Sequence, residues 1–233
     1  MYRSKKPLTF NLILMQVHIA NGWLVFCITF GVMLFTTFIM GRLSRYFYAE
    51  DVVLRRFSIM DLQWPGSALE LQNLIHGIYR LPDKRSATVI SALKKHLYAD
   101  FLFMPAAYSS IFLLCMKISG KMDYFGPEVF AFLAWLQIVP LVLDIYENFY
   151  LLNKLRPNFK KTSDETFKRM QRIEIIKWGI PLVSVILALS AVLYFWVNGM
   201  YEKGSLLYVG IIIGEVLFFL LAGKMAAKLM KTN

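Results

Sequence analysis

The chain has 233 residues, of which 58% are hydrophobic and 18% charged, and its formal net charge is +11. Soluble domains are nearer half apolar and about a quarter charged, so these proportions, gathered into long apolar runs, exclude an ordinary soluble globule and a disordered chain. The basic excess accompanies no RNA- or DNA-binding motif and suits one face of a membrane protein, where Lys and Arg collect.

In chain order, the first apolar span covers residues 12–40 and ends at Arg42 and Arg45. Its first half carries Asn11, Gln16, His18 and Asn21 and reads as interfacial. The run is too long for a signal-peptide core, so it reads as an uncleaved span. Residues 42–97 form a polar, cytoplasmic helical cap. Within it Phe57–Trp64 is apolar without a period, Pro65-Gly66 is a break, and Ser67 with Glu70 makes a capping box. Leu71, Leu74, Ile75 and Ile78 then fall on one helical face, which needs the membrane surface or the spans to cover it. Ser86 reads as the cap of a helix that runs on into the second span, 97–116, with Pro105 as a kink. The third span is 129–152. Thr162 with Glu165 reads as another capping box, opening a helix that leads into the fourth span, 175–197. The fifth is 206–226. Cys27 and Cys115 lie inside apolar runs and read as buried small hydrophobes, with no disulfide or metal spacing. The fold class that follows is all-α: a polytopic membrane helix bundle of about five spans.

Five spans divide the loops into two sets. Residues 42–97, 153–176 and the tail hold nine, seven and three Lys or Arg; the N-terminus, 117–128 and 198–205 hold three, two and one. The richer set belongs in the cytoplasm. The chain therefore reads as a multi-pass protein of the plasma (inner) membrane, N-terminus outside and C-terminus cytoplasmic. Lys168, Arg169 and Arg172 are placed to meet anionic lipid headgroups, and Trp23, Trp178 and Trp196 to anchor span ends.

That topology puts Asp100, Asp144, Glu147, Asn148 and Lys177 at similar depth, roughly 5–12 Å inside the cytoplasmic boundary by helical rise. Asp144, Glu147 and Asn148 are spaced i, i+3, i+4 and share a face, which Gln137 extends. Such a stripe must face protein or water. Its available partners are Asp100, Tyr108 and Lys177, with Asp100–Lys177 reading as a helix-pinning ion pair. Three acids against one amine require another basic residue or a protonated carboxyl. Glu215 sits nearer mid-span, directly after a Gly210–Gly214 GxxxG element that would pack helices within the chain or in a homo-oligomer. His18 has no in-span partner, so haem is rejected. Asp100, Asp144 and Glu147 could offer oxygen ligands to a hard cation, but no recognised metal or catalytic motif is present, and neither metal nor cofactor is expected.

The loop run Phe57–Ile75, Asp100 with Tyr108, the element Asp144-Ile145-Tyr146-Glu147-Asn148, and Lys177-Trp178 together resemble a loosely defined family of small bacterial integral membrane proteins without an assigned activity. The resemblance covers about the first four-fifths of the chain and leaves out Gly210–Glu215. It implies the fold and this choice of residues, and no reaction.

Three functions fit. The first is a proton- or cation-linked carrier or channel-like protein, with Asp144 and Glu147 as binding sites and Glu215 as a second site. It requires an aqueous cavity reaching the acids. The second is an enzyme or binder acting on a lipid-like molecule at the cytoplasmic leaflet, which requires an apolar pocket with the acids and Lys177 at its polar end; an enzyme is the less favoured class. The third is a structural or regulatory subunit whose acids only fix helix packing.

Overall fold

The structure, a computed structural model, describes residues 22–51, 53–156 and 162–229. Helix α1, Gly22–Leu43, leads through a short 3-10 turn into a small hairpin, β1 (Tyr48–Glu50) and β2 (Leu54–Arg56). Then follow α2 (Ile59–Gln63), α3 (Ala68–Arg80), α4 (Asp83–Ser119), α5 (Gly126–Leu136), α6 (Ile138–Lys154), α7 (Asp164–Val197) and α8 (Ser205–Leu229). Five segments are long and apolar enough to cross a membrane: Gly22–Tyr46, Asp83–Ser119, Gly126–Lys154, Asp164–Val197 and Ser205–Ala227. The chain is an all-α polytopic helix bundle. The part of the expected first span before Gly22, with His18, lies outside the described residues.

The cap follows from local chemistry. Asp61 accepts from the Ser58 amide at 2.6 Å and starts α2. Ser67 Oγ accepts from the Glu70 amide at 3.1 Å and starts α3. The return half of that expected box is different, because Glu70 accepts from the Gly66 amide at 2.8 Å rather than from Ser67. The hairpin pairs Tyr48 with Arg56 and Glu50 with Leu54, a feature that the unperiodic Phe57–Trp64 run and its short neighbours did not signal. Arg56 and Arg85 both lie over the Tyr48 ring, at 5.7 and 5.3 Å, which ties the hairpin to α4. Gly77 lets α3 approach β1 closely: a Cβ there would fall 2.6 Å from the Glu50 carbonyl oxygen.

Three helix boundaries correct the sequence reading. Helix α4 starts at Asp83, its first turn closed by the Pro82 carbonyl accepting from Arg85 and Ser86 at 2.8 and 2.9 Å. Ser86 is therefore a buried residue inside the helix, not its cap. Helix α7 is capped by Ser163, whose hydroxyl accepts from the Thr166 amide at 3.2 Å, while Thr162 bonds the Tyr150 phenol at 3.1 Å. The third span is two helices, interrupted at Gln137. Pro140 has no N–H for the Leu136 carbonyl, and Gln137 N bonds Ala134 O at 3.1 Å in a tighter turn.

Packing sorts the bundle into layers. At one end the cap residues Phe47, Leu71, Ile75 and Ile78 join Leu93 and Leu97 of α4 and Leu151 of α6 in one apolar core. The amphipathic face of α3 thus covers the spans, where each buried Ile or Leu contributes about 1.5–3 kcal/mol. Tyr79 donates to the Leu155 carbonyl at 3.2 Å, and burial pushes its phenol above the ordinary value, so it stays a donor at neutral pH. At the far end Phe26, Leu113, Phe130, Ala188 and Phe195 form a second core. A polar layer separates the two. Helix α8 packs chiefly on α1 and lies outside the rest.

Candidate functional site

The polar layer is built by three helices, each presenting one face. Helix α6 contributes Asp144, Glu147 and Asn148, all buried, on the face that their spacing predicts. Helix α7 contributes Glu174 and Lys177, one turn apart, and α4 contributes Asp100 and Tyr108. The break at Gln137 begins α6 as a separate helix, and its face is the one that meets α7.

Lys177 is the hub, 2% exposed. Its ammonium contacts Asp144 Oδ1 at 3.1 Å and Glu174 Oε1 at 3.1 Å, and it bonds Glu147 Oε2. Asp144 Oδ2 accepts from the Tyr108 phenol at 2.7 Å. Glu174 Oε2 accepts from the Trp178 indole at 3.1 Å, and the Lys177 ammonium lies 5.6 Å from that ring. Asn148 Nδ2 donates to Asp100 Oδ2 at 2.8 Å and to the Leu97 carbonyl at 3.4 Å. The next layer along α7 is a pair, Gln137 Nε2 donating to Ser184 Oγ at 2.9 Å.

Three carboxyls surround one ammonium, and Asp100 stands beside them. Each uncompensated buried charge costs several kcal/mol, so this layer cannot hold all its carboxyls ionised with no further partner. Glu147 and Glu174 both accept from the Lys177 ammonium, and Glu147 Oε1 has no hydrogen-bond partner among the described residues. Beside Glu147 is a space of about 10 Å³, bounded by Gln63 of the cap, Tyr150, Phe167, Met170 and Gln171. It has room for one water. No three His, Cys, Asp or Glu side chains among the described residues are disposed to hold a metal ion; the ammonium itself stands at the centre of the acids.

Most of the expected site residues come together here: Asp100, Tyr108, Asp144, Glu147, Asn148 and Lys177. The pairing differs from the expectation. Lys177 bonds Asp144, Glu147 and Glu174 instead of pinning Asp100, whose partner is Asn148. Trp178 joins the network through Glu174 as well as flanking a span end. Glu174 is the residue the sequence reading left out. Its signal was present, since it sits i−3 from Lys177 and i−4 from Trp178, but the span boundary drawn at Ile175 fell one residue too late.

Glu215 is not part of this network. It lies on the α1–α8 seam, where a Cβ on Gly31 would fall 2.9 Å from its Oε1. A Cβ on Gly210 or Gly214 would meet no atom of the described residues within 4 Å. Lys168, Arg169 and Arg172 are exposed, and Arg169 donates to the Tyr146 phenol at 3.1 Å. A cavity of about 540 Å³ lies between α1, α4, α7 and α8. It is at the far end, away from the acids and Lys177, and its charged lining is Lys117, Lys121 and Glu202 instead.

Among known proteins, no family model, curated protein or solved structure matches this chain.

Proposed function

We propose that this integral membrane protein is proton-linked, and that the Lys177 network is its proton-binding site. The observation that carries the reading is the excess of buried carboxyls: Asp144, Glu147 and Glu174 share one ammonium, and Glu147 keeps an oxygen without a partner among the described residues. A proton shared between the Glu147 and Glu174 carboxyls satisfies that oxygen and removes one negative charge. The one-water space at Glu147, under Gln63 and Gln171, is the route by which it exchanges with solvent on the cap side. A space of that size suits a proton and excludes a bulky solute. The cap side is cytoplasmic, and the N-terminus outside, by the distribution of Lys and Arg. The same residues carry the resemblance to small bacterial membrane proteins, and membership of that group is part of the proposal.

The test is proton flux. Purified protein in liposomes, with a pH-sensitive dye inside and an imposed potential, is expected to conduct protons. Glu147→Gln and Asp144→Asn each lower the flux by at least about tenfold, a loss within the range for a positioned acid or base. Wild-type liposomes no leakier than empty ones would overturn the reading.

One observation favours a second reading. The space beside Glu147, about 10 Å³, has room for one water and not for a larger solute. On that reading the network is a closed pin that fixes α6 against α7, and the protein is a structural or regulatory subunit. It expects the same two variants to lower the thermal midpoint while wild-type flux is nil.

A further inference from the structure

The second feature with a chemistry of its own is the cavity at the far end. Helices α7 and α8 are joined by only a short turn, yet α8 packs chiefly on α1. The gap this leaves between α7 and α8 is the cavity, about 540 Å³, within the range of small-molecule sites, roughly 300–1,000 Å³. Phe195, Val192, Val209 and Ile212 give it an apolar wall, and Trp23 and Trp196 flank it.

At the end of this wall stands Lys117. It is half-buried and makes no hydrogen bond or ion pair with any described residue. Its side chain lies over Gly22 at the start of α1, where a Cβ would fall 3.2 Å from Nζ. Lys121, on the turn after α4, donates to the Met200 carbonyl at 3.3 Å and bridges to the turn between α7 and α8. Glu202 also lines the opening, so two ammoniums face one carboxylate. An apolar slot lined also by two indoles and by an ammonium unpaired among the described residues matches an acyl chain that carries an anionic headgroup.

We propose that this cavity binds one anionic phospholipid of the surrounding leaflet, its chain between α7 and α8 and its phosphate on Lys117. The site is separate from the acid network and stands or falls independently of proton transport.

Brominated lipid quenches indole fluorescence on contact, which provides the test. The protein is placed in phosphatidylcholine vesicles that contain either brominated phosphatidylglycerol or brominated phosphatidylcholine, at equal bromine content. The anionic lipid is expected to quench more strongly, and the excess to vanish in a Trp23→Phe/Trp196→Phe variant, which keeps the other indoles. Lys117→Gln lowers the preference by about fivefold, the contribution of one lysine near an anionic headgroup, and Lys117→Arg retains it. Equal quenching by the two lipids overturns the proposal, leaving only unselective boundary lipid. So does an excess that survives Lys117→Gln.

Discussion

Lys177 bridges three buried carboxyls, and removing its charge exposes what the layer costs. Lys177→Met leaves Asp144, Glu147 and Glu174 facing one another at 1–7% exposure. The expected loss is about 3–5 kcal/mol, the usual consequence of breaking a buried pair from one side. It is read from the thermal or denaturant midpoint in detergent. Adding Glu147→Gln to Lys177→Met should recover part of the loss, since the two residues share one interaction; strictly additive effects would mean that they do not couple. Trp178→Phe removes one hydrogen bond to Glu174 and should cost about 1 kcal/mol. Most of this network was legible as spacing: Asp144, Glu147 and Asn148 on one face, with Lys177 at equal depth. Which carboxyl Lys177 takes was not legible, because Asp100 and Glu174 are both near it in depth and only the rotation of α4 and α7 decides between them.

At the scale of elements, the cap is the part that local rules specify best. Ser67→Ala should destabilise α3 by about 1 kcal/mol, the usual value of an N-cap. Gly77→Ala should cost more, about 1–3 kcal/mol, because the new methyl meets the Glu50 carbonyl, which is backbone and cannot swing aside. Both losses should appear as faster amide exchange over residues 68–80, with the Lys177 network unchanged. An equal effect on α7 amides would show that cap and network unfold as one unit. Boundaries were less legible than helices. Ser86 and Thr162 are sound capping residues by type, but Pro82 and Ser163 lie where the chain actually turns, and the cap is set by the turn. The break at Gln137 had a signal in Pro140, which removes one N–H, yet a proline in an apolar run is compatible with a continuous helix, as Pro105 in α4 and Pro181 in α7 show.

At the scale of the whole molecule, alternation of spans puts the cap, the start of α7 and the end of α8 on one side. The turns after α4 and α7 lie on the other. The proposed orientation, from the distribution of Lys and Arg, has the first side cytoplasmic. Single cysteines at Asp123 and Glu202 are therefore expected to react with an impermeant maleimide in intact cells, and cysteines at Lys84 and Glu165 only after the membrane is opened. The native Cys27 and Cys115, 2% and 0% exposed, should stay silent. The reverse labelling pattern would invert the topology and move the one-water space at Glu147 to the outer face.

The sequence by itself determined the composition of the layers: apolar runs long enough to span, a polar stripe that cannot face lipid, and an amphipathic α3 that needs a surface to cover. These are local properties, set by helical period and by the cost of dissolving charge in hydrocarbon. The tertiary structure alone decided the rest. It brought Glu174 into the Lys177 network and gave Asp100 to Asn148. It placed Glu215 on a separate seam, left Gly210 and Gly214 without a close neighbour among the described residues, and opened the cavity at the end opposite the acids. Those outcomes depend on distances between residues far apart in the chain. Such distances follow from how five helices rotate and lean against one another, and no single helix encodes them.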